Sequence, residues 1–161
     1  MGRFEGKIVL VTGGADGIGR QTVTEFAKEG ATVIVSDRNS EAGQKTAGIV
    51  GQLNGGKSEF VQADVSKEAE VTALFAHIKK KYGRLDIAVF NAGGVANTSM
   101  VADFTDEEWQ YEMNFNVNHC FWGTRRALKY MIPQQYGRIM NMSSMYGKIT
   151  TVGVAGYITT K

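Results

Sequence analysis

A chain of 161 residues is long enough for one domain with a substantial core. Its 18 basic and 16 acidic residues give a net charge of +2, without the basic stripe that nucleic-acid binding usually needs, and no run of about 18 apolar residues is available to span a membrane. Twenty glycines against one proline point to tight turns and close backbone approaches rather than to a disordered tail.

Lys7 to Val11 is a short β-rich run that feeds a glycine-rich turn. Gly17 to Glu29 reads as a helix, with Ile18, Thr22 and Phe26 on one face and Gly30 as its stop. A second strand is expected over Ala31 to Ser36. A second helix follows over Glu41 to Leu53, weakened by Gly43, Gly48 and Gly51. Glu59 to Ala63 is a third strand. Ser66 is placed to cap a helix reaching about Tyr82, with Val71, Leu74, Phe75 and Ile78 facing inward. The run Lys79-Lys80-Lys81 falls at its C-terminal end, where cations are favoured.

Leu85 to Phe90 is a fourth strand. Thr105-Asp106-Glu107-Glu108 is a capping box that opens a long helix. Its apolar stripe reads as Trp109, Met113, Val117, Cys120, Thr124, Leu128 and Met131, and Pro133 is its stop. Phe121 and Trp122 are adjacent and cannot both face the core, so one is a candidate for an interface. Gly137 to Met142 is a fifth strand. Strands alternating with helices predict an α/β fold, with right-handed crossovers and a parallel sheet covered on both faces.

Cys120 is the only cysteine, so no intrachain disulfide or cysteine metal site is expected, and a buried structural thiol is the simplest reading. With His77 and His119 the only histidines, no metal site is expected at all. The N-terminus lacks a signal-peptide pattern, and Gly6 stands where a myristoylation motif wants Ser or Thr. The sequons at Asn97 and Asn141 carry no meaning in a chain that is not secreted, and a cytoplasmic location is expected.

The turn "VLVTGGADGIGRQ" joins the first strand to the first helix, with Gly13, Gly17 and Gly19 spaced G-x3-G-x-G. Glycines at such a turn let the backbone approach a pyrophosphate, and the helix N-terminus supplies free N–H groups. The spacing is not the G-x-G-x-x-G of the common dinucleotide fingerprint, and Arg20-Gln21 rules out a P-loop. Asp37 ends the second strand eighteen residues beyond Gly19, where an acid binds adenosine ribose hydroxyls and repels a 2′-phosphate. Asp16 adds negative charge nearby, so both favour NAD over NADP; Arg38 opposes them as a candidate phosphate acceptor. Asp64, after the third strand, is either a turn residue or a partner for the adenine edge. Asn116 lies on the long helix between Met113 and Cys120, which puts an amide on an inward stripe. From the residues alone it is either a locally satisfied core amide or a functional one.

Thr12-Gly13-Gly14-Ala15-Asp16-Gly17-Ile18-Gly19, Asn91-Ala92-Gly93, Ser144 and Tyr157-x3-Lys161, in this order and spacing, resemble the short-chain dehydrogenase/reductase superfamily in its main non-extended subgroup. The resemblance covers the whole chain. It implies a Rossmann-like doubly wound parallel sheet in the order 3-2-1-4-5, and a single dinucleotide-binding catalytic domain over residues 1–161. It also implies an NAD-dependent oxidoreductase acting on a secondary alcohol or ketone, in which Asn116, Ser144, Tyr157 and Lys161 form a catalytic tetrad. Gly13, Asp16, Gly17, Ile18, Gly19, Asp37, Arg38, Asp64, Val65, Asn91, Ala92 and Gly93, with Tyr157 and Lys161, would meet the cofactor.

Chemistry supports these roles. A free phenol, with a pKa near ~10, is a poor base at neutral pH, and an ammonium one helical turn away stabilises the phenolate. Tyr157 would be the general acid/base, Lys161 its electrostatic partner, Ser144 the holder of the substrate oxygen, and Asn116 part of a water-linked relay behind Lys161. Val95, Ala96, Met145, Tyr146 and Val152 to Val154 suggest an apolar substrate. Family members are commonly tetramers or dimers that pair the long helix, so a homo-oligomer is expected. The competing reading is a non-catalytic NAD-binding module or assembly subunit, which has no need of Tyr157 and Ser144. An extended-subgroup epimerase resembles a T-G-x2-G-x2-G turn, which Gly13, Gly17 and Gly19 do not match.

The family's sheet has two further strands after the Tyr-Lys helix, and α/β domains of roughly 200–250 residues are ordinary. The chain is therefore expected to be C-terminally incomplete, with the fifth strand an exposed edge. It is expected to lack the following turns that would hold Tyr157 and Lys161 in helical register.

Overall fold

The computed structural model describes residues 2–53 and 56–161. Five strands, β1 (Ile8–Thr12), β2 (Thr32–Asp37), β3 (Lys57–Gln62), β4 (Ile87–Phe90) and β5 (Arg138–Asn141), form one parallel sheet in the order β3-β2-β1-β4-β5. The intervening helices are α1 (Gly17–Lys28), α2 (Ser40–Gly51), α3 (Glu68–Tyr82), α4 (Asp106–Met113), α5 (His119–Gln134) and α6 (Ala155–Thr160). No helix among the described residues is long and apolar enough to cross a membrane.

The alternation of side chains along each strand divides the core in two. Ile8, Leu10, Ile34, Ala88 and Phe90 face α3 and α5, meeting Leu74, Phe75, Ile78 and Ala127. Val9, Val11, Val33, Val35, Ile87 and Val89 face α1 and α2, meeting Val23, Ala27 and Val50. Strands buried on both faces explain their nearly unbroken aliphatic runs. At the amino end of the sheet the fully buried Asp86 carboxylate accepts the Ile8 N–H at 2.9 Å and pairs with Arg84.

Several local expectations change. On α1 the buried stripe is Gly19, Val23 and Ala27, while Ile18 is 66% exposed and Phe26, half-buried at the margin of that core, packs edge-on against Phe4. Ser66 does not cap α3. Its hydroxyl and N–H both donate to the Asp64 carboxylate, which closes a turn two residues before the helix begins. The Thr105 capping box forms as expected, with the Thr105 hydroxyl and the Glu108 carboxylate each accepting the other's N–H.

The long helix is interrupted by a π turn over Asn114–Asn118, which places an extra residue in the spiral. The inward stripe is Glu112, Asn116, His119, Gly123, Ala127 and Met131, offset from the apolar stripe read in the sequence. Trp109 and Leu128 accordingly remain partly exposed, as does Phe121, while Trp122 packs on the core. Pro133 lies inside α5, whose last turn closes on Gln135 in the left-handed region. Helix α6 does form, because it docks on α4: a Cβ on the buried Gly156 would lie 2.9 Å from both Glu112 Cγ and Phe104 Cζ. Tertiary contact thus supplies what a single helical turn lacks in isolation. Strand β5 is an edge of the sheet, with Met140 exposed.

The inward stripe of α5 is small because α5 lies tightly on Phe90. A methyl at Gly123 would stand 2.2 Å from the Phe90 ring. Gly123→Ala is expected to lower stability by about 1–3 kcal/mol despite the better helix propensity of alanine. An unchanged urea midpoint would contradict this packing.

Candidate functional site

Strands β1 and β4 are neighbours, yet the chain leaves β1 toward β2 on one side and β4 toward β5 on the other. Such a switch point leaves a crevice beyond the carboxyl ends of the strands. The crevice is braced from below. Thr12 Oγ1 accepts the N–H groups of Asn91 and Ala92 at 3.1 and 3.2 Å, and Asn91 Nδ2 donates to the Thr12 and Gly13 carbonyls at 3.1 and 3.2 Å.

Above this brace lies a cleft of about 520 Å³. Its wall carries Gly13, Asp16, Ile18 and Gly19 from the first turn, Asp37 and Arg38 from the end of β2, and Asp64 and Val65 after β3. It also carries Asn91, Ala92 and Gly93 after β4, Ser144 after β5, and Tyr157 and Lys161 from the α6 segment. Elements as far apart in sequence as Gly13 and Lys161 therefore meet on one surface. Gly17 and Asn116 are off this wall, Asn116 lying buried behind Gly94. Ala63, Phe115, Met142 and Ser143 line the cleft without having been singled out in the sequence. Val95, Ala96, Met145, Tyr146 and Val152 to Val154 do not line it.

The glycine turn is built for close approach. A Cβ at Gly19 would fall 1.9 Å from the Gly13 carbonyl oxygen. Gly17 has φ +53°, with nothing within 4 Å of the position a Cβ would take. The Asp16 side chain pairs with Arg20 at 2.9 Å and does not cap α1, so the first-turn N–H groups stay open. Asp37 is held by the Ala15 N–H at 3.2 Å and the Asn39 N–H at 3.0 Å. Arg38 turns across the cleft, donating to the Tyr111 hydroxyl at 3.0 Å with its guanidinium 5.7 Å from the Phe115 ring centre. Burial works to raise the Asp64 carboxyl, but the Ser66 hydroxyl and N–H, with Lys67 and Arg38, hold it below its ordinary range.

At the other end, Lys161 Nζ donates to the Met142 carbonyl at 3.0 Å and sits 5.5 Å from the centre of the Tyr157 ring. Ser144 Oγ accepts the Tyr146 N–H, and the Tyr146 ring meets Tyr157 edge-on at 6.1 Å. Asn116 is fully engaged: Oδ1 accepts the Gly94 N–H at 2.9 Å, and Nδ2 donates to the Gly94 carbonyl at 3.1 Å and to Glu112 at 2.7 Å. Glu112 is a buried carboxylate missed in the sequence. Its available signal was the four-residue spacing from Asn116, which puts both on one helix face.

The family profile described as short chain dehydrogenase matches residues 7–161. The chain is 44% identical to a 3beta-hydroxysteroid dehydrogenase of Mediterraneibacter gnavus over 100% of its own length and 58% of the relative's. It is 40% identical to a cyclopentanol dehydrogenase of Comamonas sp., over 100% and 64%. Among solved structures it is similar to NAD+-bound xylitol dehydrogenase, with a TM-score of 0.90 and 31% identity over 99% of this chain and 61% of that one. The chain thus spans about three fifths of the length of the curated relatives it matches.

His119 is 1% exposed, and among the described residues no group meets hydrogen-bond geometry at its Nδ1. Burial, reinforced by the Lys161 ammonium and opposed by the Phe115 carbonyl, lowers its pKa from 6.5 to about 4. The folded state therefore favours the neutral ring. Stability complete above pH 6.5 is lost as pH falls toward 4, by up to about 3 kcal/mol. His119→Gln should flatten the fall of the urea midpoint between pH 7 and pH 5; an equal fall in both proteins would contradict the assignment.

Proposed function

The chain belongs to the short-chain dehydrogenase family, and on that premise we propose that residues 1–161 are the dinucleotide-binding catalytic domain of a longer NAD-dependent oxidoreductase. Its reaction interconverts a secondary alcohol and a ketone. The observation that carries the reading is the convergence of the glycine turn, Asp37, Ser144, Tyr157 and Lys161 on one cleft at the sheet's switch point.

The residues fit a nicotinamide dinucleotide. The open face at Gly17 and the uncapped first turn of α1 suit a pyrophosphate. Asp37, fixed by two main-chain N–H groups, accepts from ribose hydroxyls and repels a 2′-phosphate. Arg38, engaged with Tyr111 and Phe115, is turned toward α4, which favours NAD further. Asp16, Ile18, Asp64, Val65, Ala92 and Gly93 complete the contacts. Bound there, the cofactor supplies the hydride acceptor for alcohol oxidation and the donor for ketone reduction.

Tyr157 takes the proton from the substrate hydroxyl as hydride leaves the carbinol carbon, and returns it in the reverse reaction. Lys161, anchored by the Met142 carbonyl, places its positive charge beside the Tyr157 ring, where the proton is exchanged. Ser144 holds the substrate oxygen beside Tyr157. Asn116 extends the proton path behind Lys161. The two curated relatives are named for substrates with a hydroxyl on a ring carbon, which supports an apolar alicyclic secondary alcohol as the substrate class. Trp109, Phe121, Leu128 and Ile132, all exposed, support pairing of α4 and α5 with a second copy.

In the full-length enzyme, Tyr157→Phe is expected to lower kcat on the order of 10²- to 10⁴-fold while NAD affinity is unchanged. Steady-state turnover and calorimetric NAD titration check both halves. Turnover near the wild-type rate would remove Tyr157 from the mechanism.

A further inference from the structure

We propose that Glu112 is a positioning residue that fixes the orientation of the Asn116 amide behind the reacting groups. The proposal rests on the alcohol–ketone reading above. Glu112 is fully buried on α4. Its Oε1 accepts the N–H groups of Ala96 and Asn97 at 2.9 and 3.1 Å, and its Oε2 accepts Asn116 Nδ2 at 2.7 Å. Every contact uses it as an acceptor, the role in which a carboxylate excels.

An asparagine amide has two ends of nearly equal size and opposite hydrogen-bonding sense. At Asn116 the Gly94 main chain offers one donor and one acceptor. Glu112 offers only acceptors, so it holds the NH₂ end on its own side and leaves Oδ1 toward Gly94. The neighbouring glycine shows what this orientation serves. A Cβ at Gly93 would lie 2.8 Å from Asn116 Oδ1 and 3.1 Å from Lys161 Nζ, so the amide oxygen and the ammonium flank one small space. Turning the amide over would put a donor beside the ammonium in place of an acceptor.

Glu112 also ties neighbouring pieces of the structure together. It clamps the loop after β4 through Ala96 and Asn97, and its Cγ lies directly under Gly156, one residue before Tyr157. A carboxylate that is off the cleft wall thereby sets the geometry of Asn116, the β4 loop and α6 at once.

Glu112→Gln keeps the shape and removes the logic. With its oxygen on Ala96 and Asn97, the glutamine NH₂ faces the Asn116 NH₂. Reversed, it presents donors to two main-chain N–H groups. Each arrangement leaves a buried mismatch. In the full-length enzyme Glu112→Gln is expected to lower kcat on the order of 10- to 100-fold with KM nearly unchanged. In an Asn116→Ala background the same change should have little effect on kcat, because its target is gone. Equal losses in both backgrounds, or wild-type kcat in Glu112→Gln, would overturn the proposal while leaving the oxidoreductase reading in place.

Amide hydrogen exchange gives a readout that does not depend on turnover. The Gly94 N–H bonds Asn116 and not Glu112, and it should exchange faster in Glu112→Gln. If Glu112→Gln does not fold, Glu112→Asp, which keeps the carboxylate and shortens its reach, takes its place with the same two expectations. Unaltered Gly94 exchange would overturn the role.

Discussion

The side chains of Thr12 and Asn91 tie the carboxyl ends of β1 and β4 together, and the cleft depends on that tie. Two strands that send the chain in opposite directions expose main-chain groups exactly where they part. Here one hydroxyl accepts two N–H groups of the β4 loop, and one amide donates to two carbonyls of the glycine turn. Buried polar groups left unpaired would each cost about 1–3 kcal/mol. The reciprocal arrangement removes that cost and fixes the two loops against each other. The glycines follow from it: a Cβ at Gly19 would stand 2.7 Å from Asn91 Nδ2, so α1 can start this low over the sheet only without one.

From that brace the two ends of the cleft are built by different means. The end formed by β2 and β3 uses loops directly after strands, so Asp37 and Asp64 are held by main-chain N–H groups and a turn hydroxyl. The end near Tyr157 depends on helices stacked behind it. The π turn brings Asn116 inward, Glu112 receives it, and Gly156 lets α6 settle on Glu112. His119, held neutral by its burial, lies in the same buried layer. Polar groups are concentrated on the inward face of this one helix, where a purely structural helix would carry aliphatic side chains.

That concentration explains what the sequence could and could not reveal. The five strands, the two-sided core and the residues of the glycine turn were legible, because parallel strands covered on both faces leave aliphatic runs and tight approaches demand glycine. The inward stripe of α4 and α5 was not. Hydrophobicity there points outward through Trp109, Phe121 and Leu128, and inward positions are Glu112, Asn116, His119 and Gly123. A π turn leaves no mark in periodicity short enough to detect. Ser66 was misplaced as a cap because the carboxylate two residues earlier competes for its hydroxyl. The helical spacing of Tyr157 and Lys161 was legible but what holds α6 was not: its stability comes from Glu112 and Phe104, not from its own six residues.

The central claim is that the cleft over the Thr12–Asn91 brace is a dinucleotide site whose far end is the Tyr157–Lys161 pair. A crystal structure of the full-length protein with NAD tests it most directly. The account predicts the pyrophosphate over the first turn of α1, the adenosine ribose on Asp37, and the nicotinamide beside Tyr157 and Lys161. A dinucleotide bound elsewhere, or lying in the cleft in the opposite direction, would contradict it.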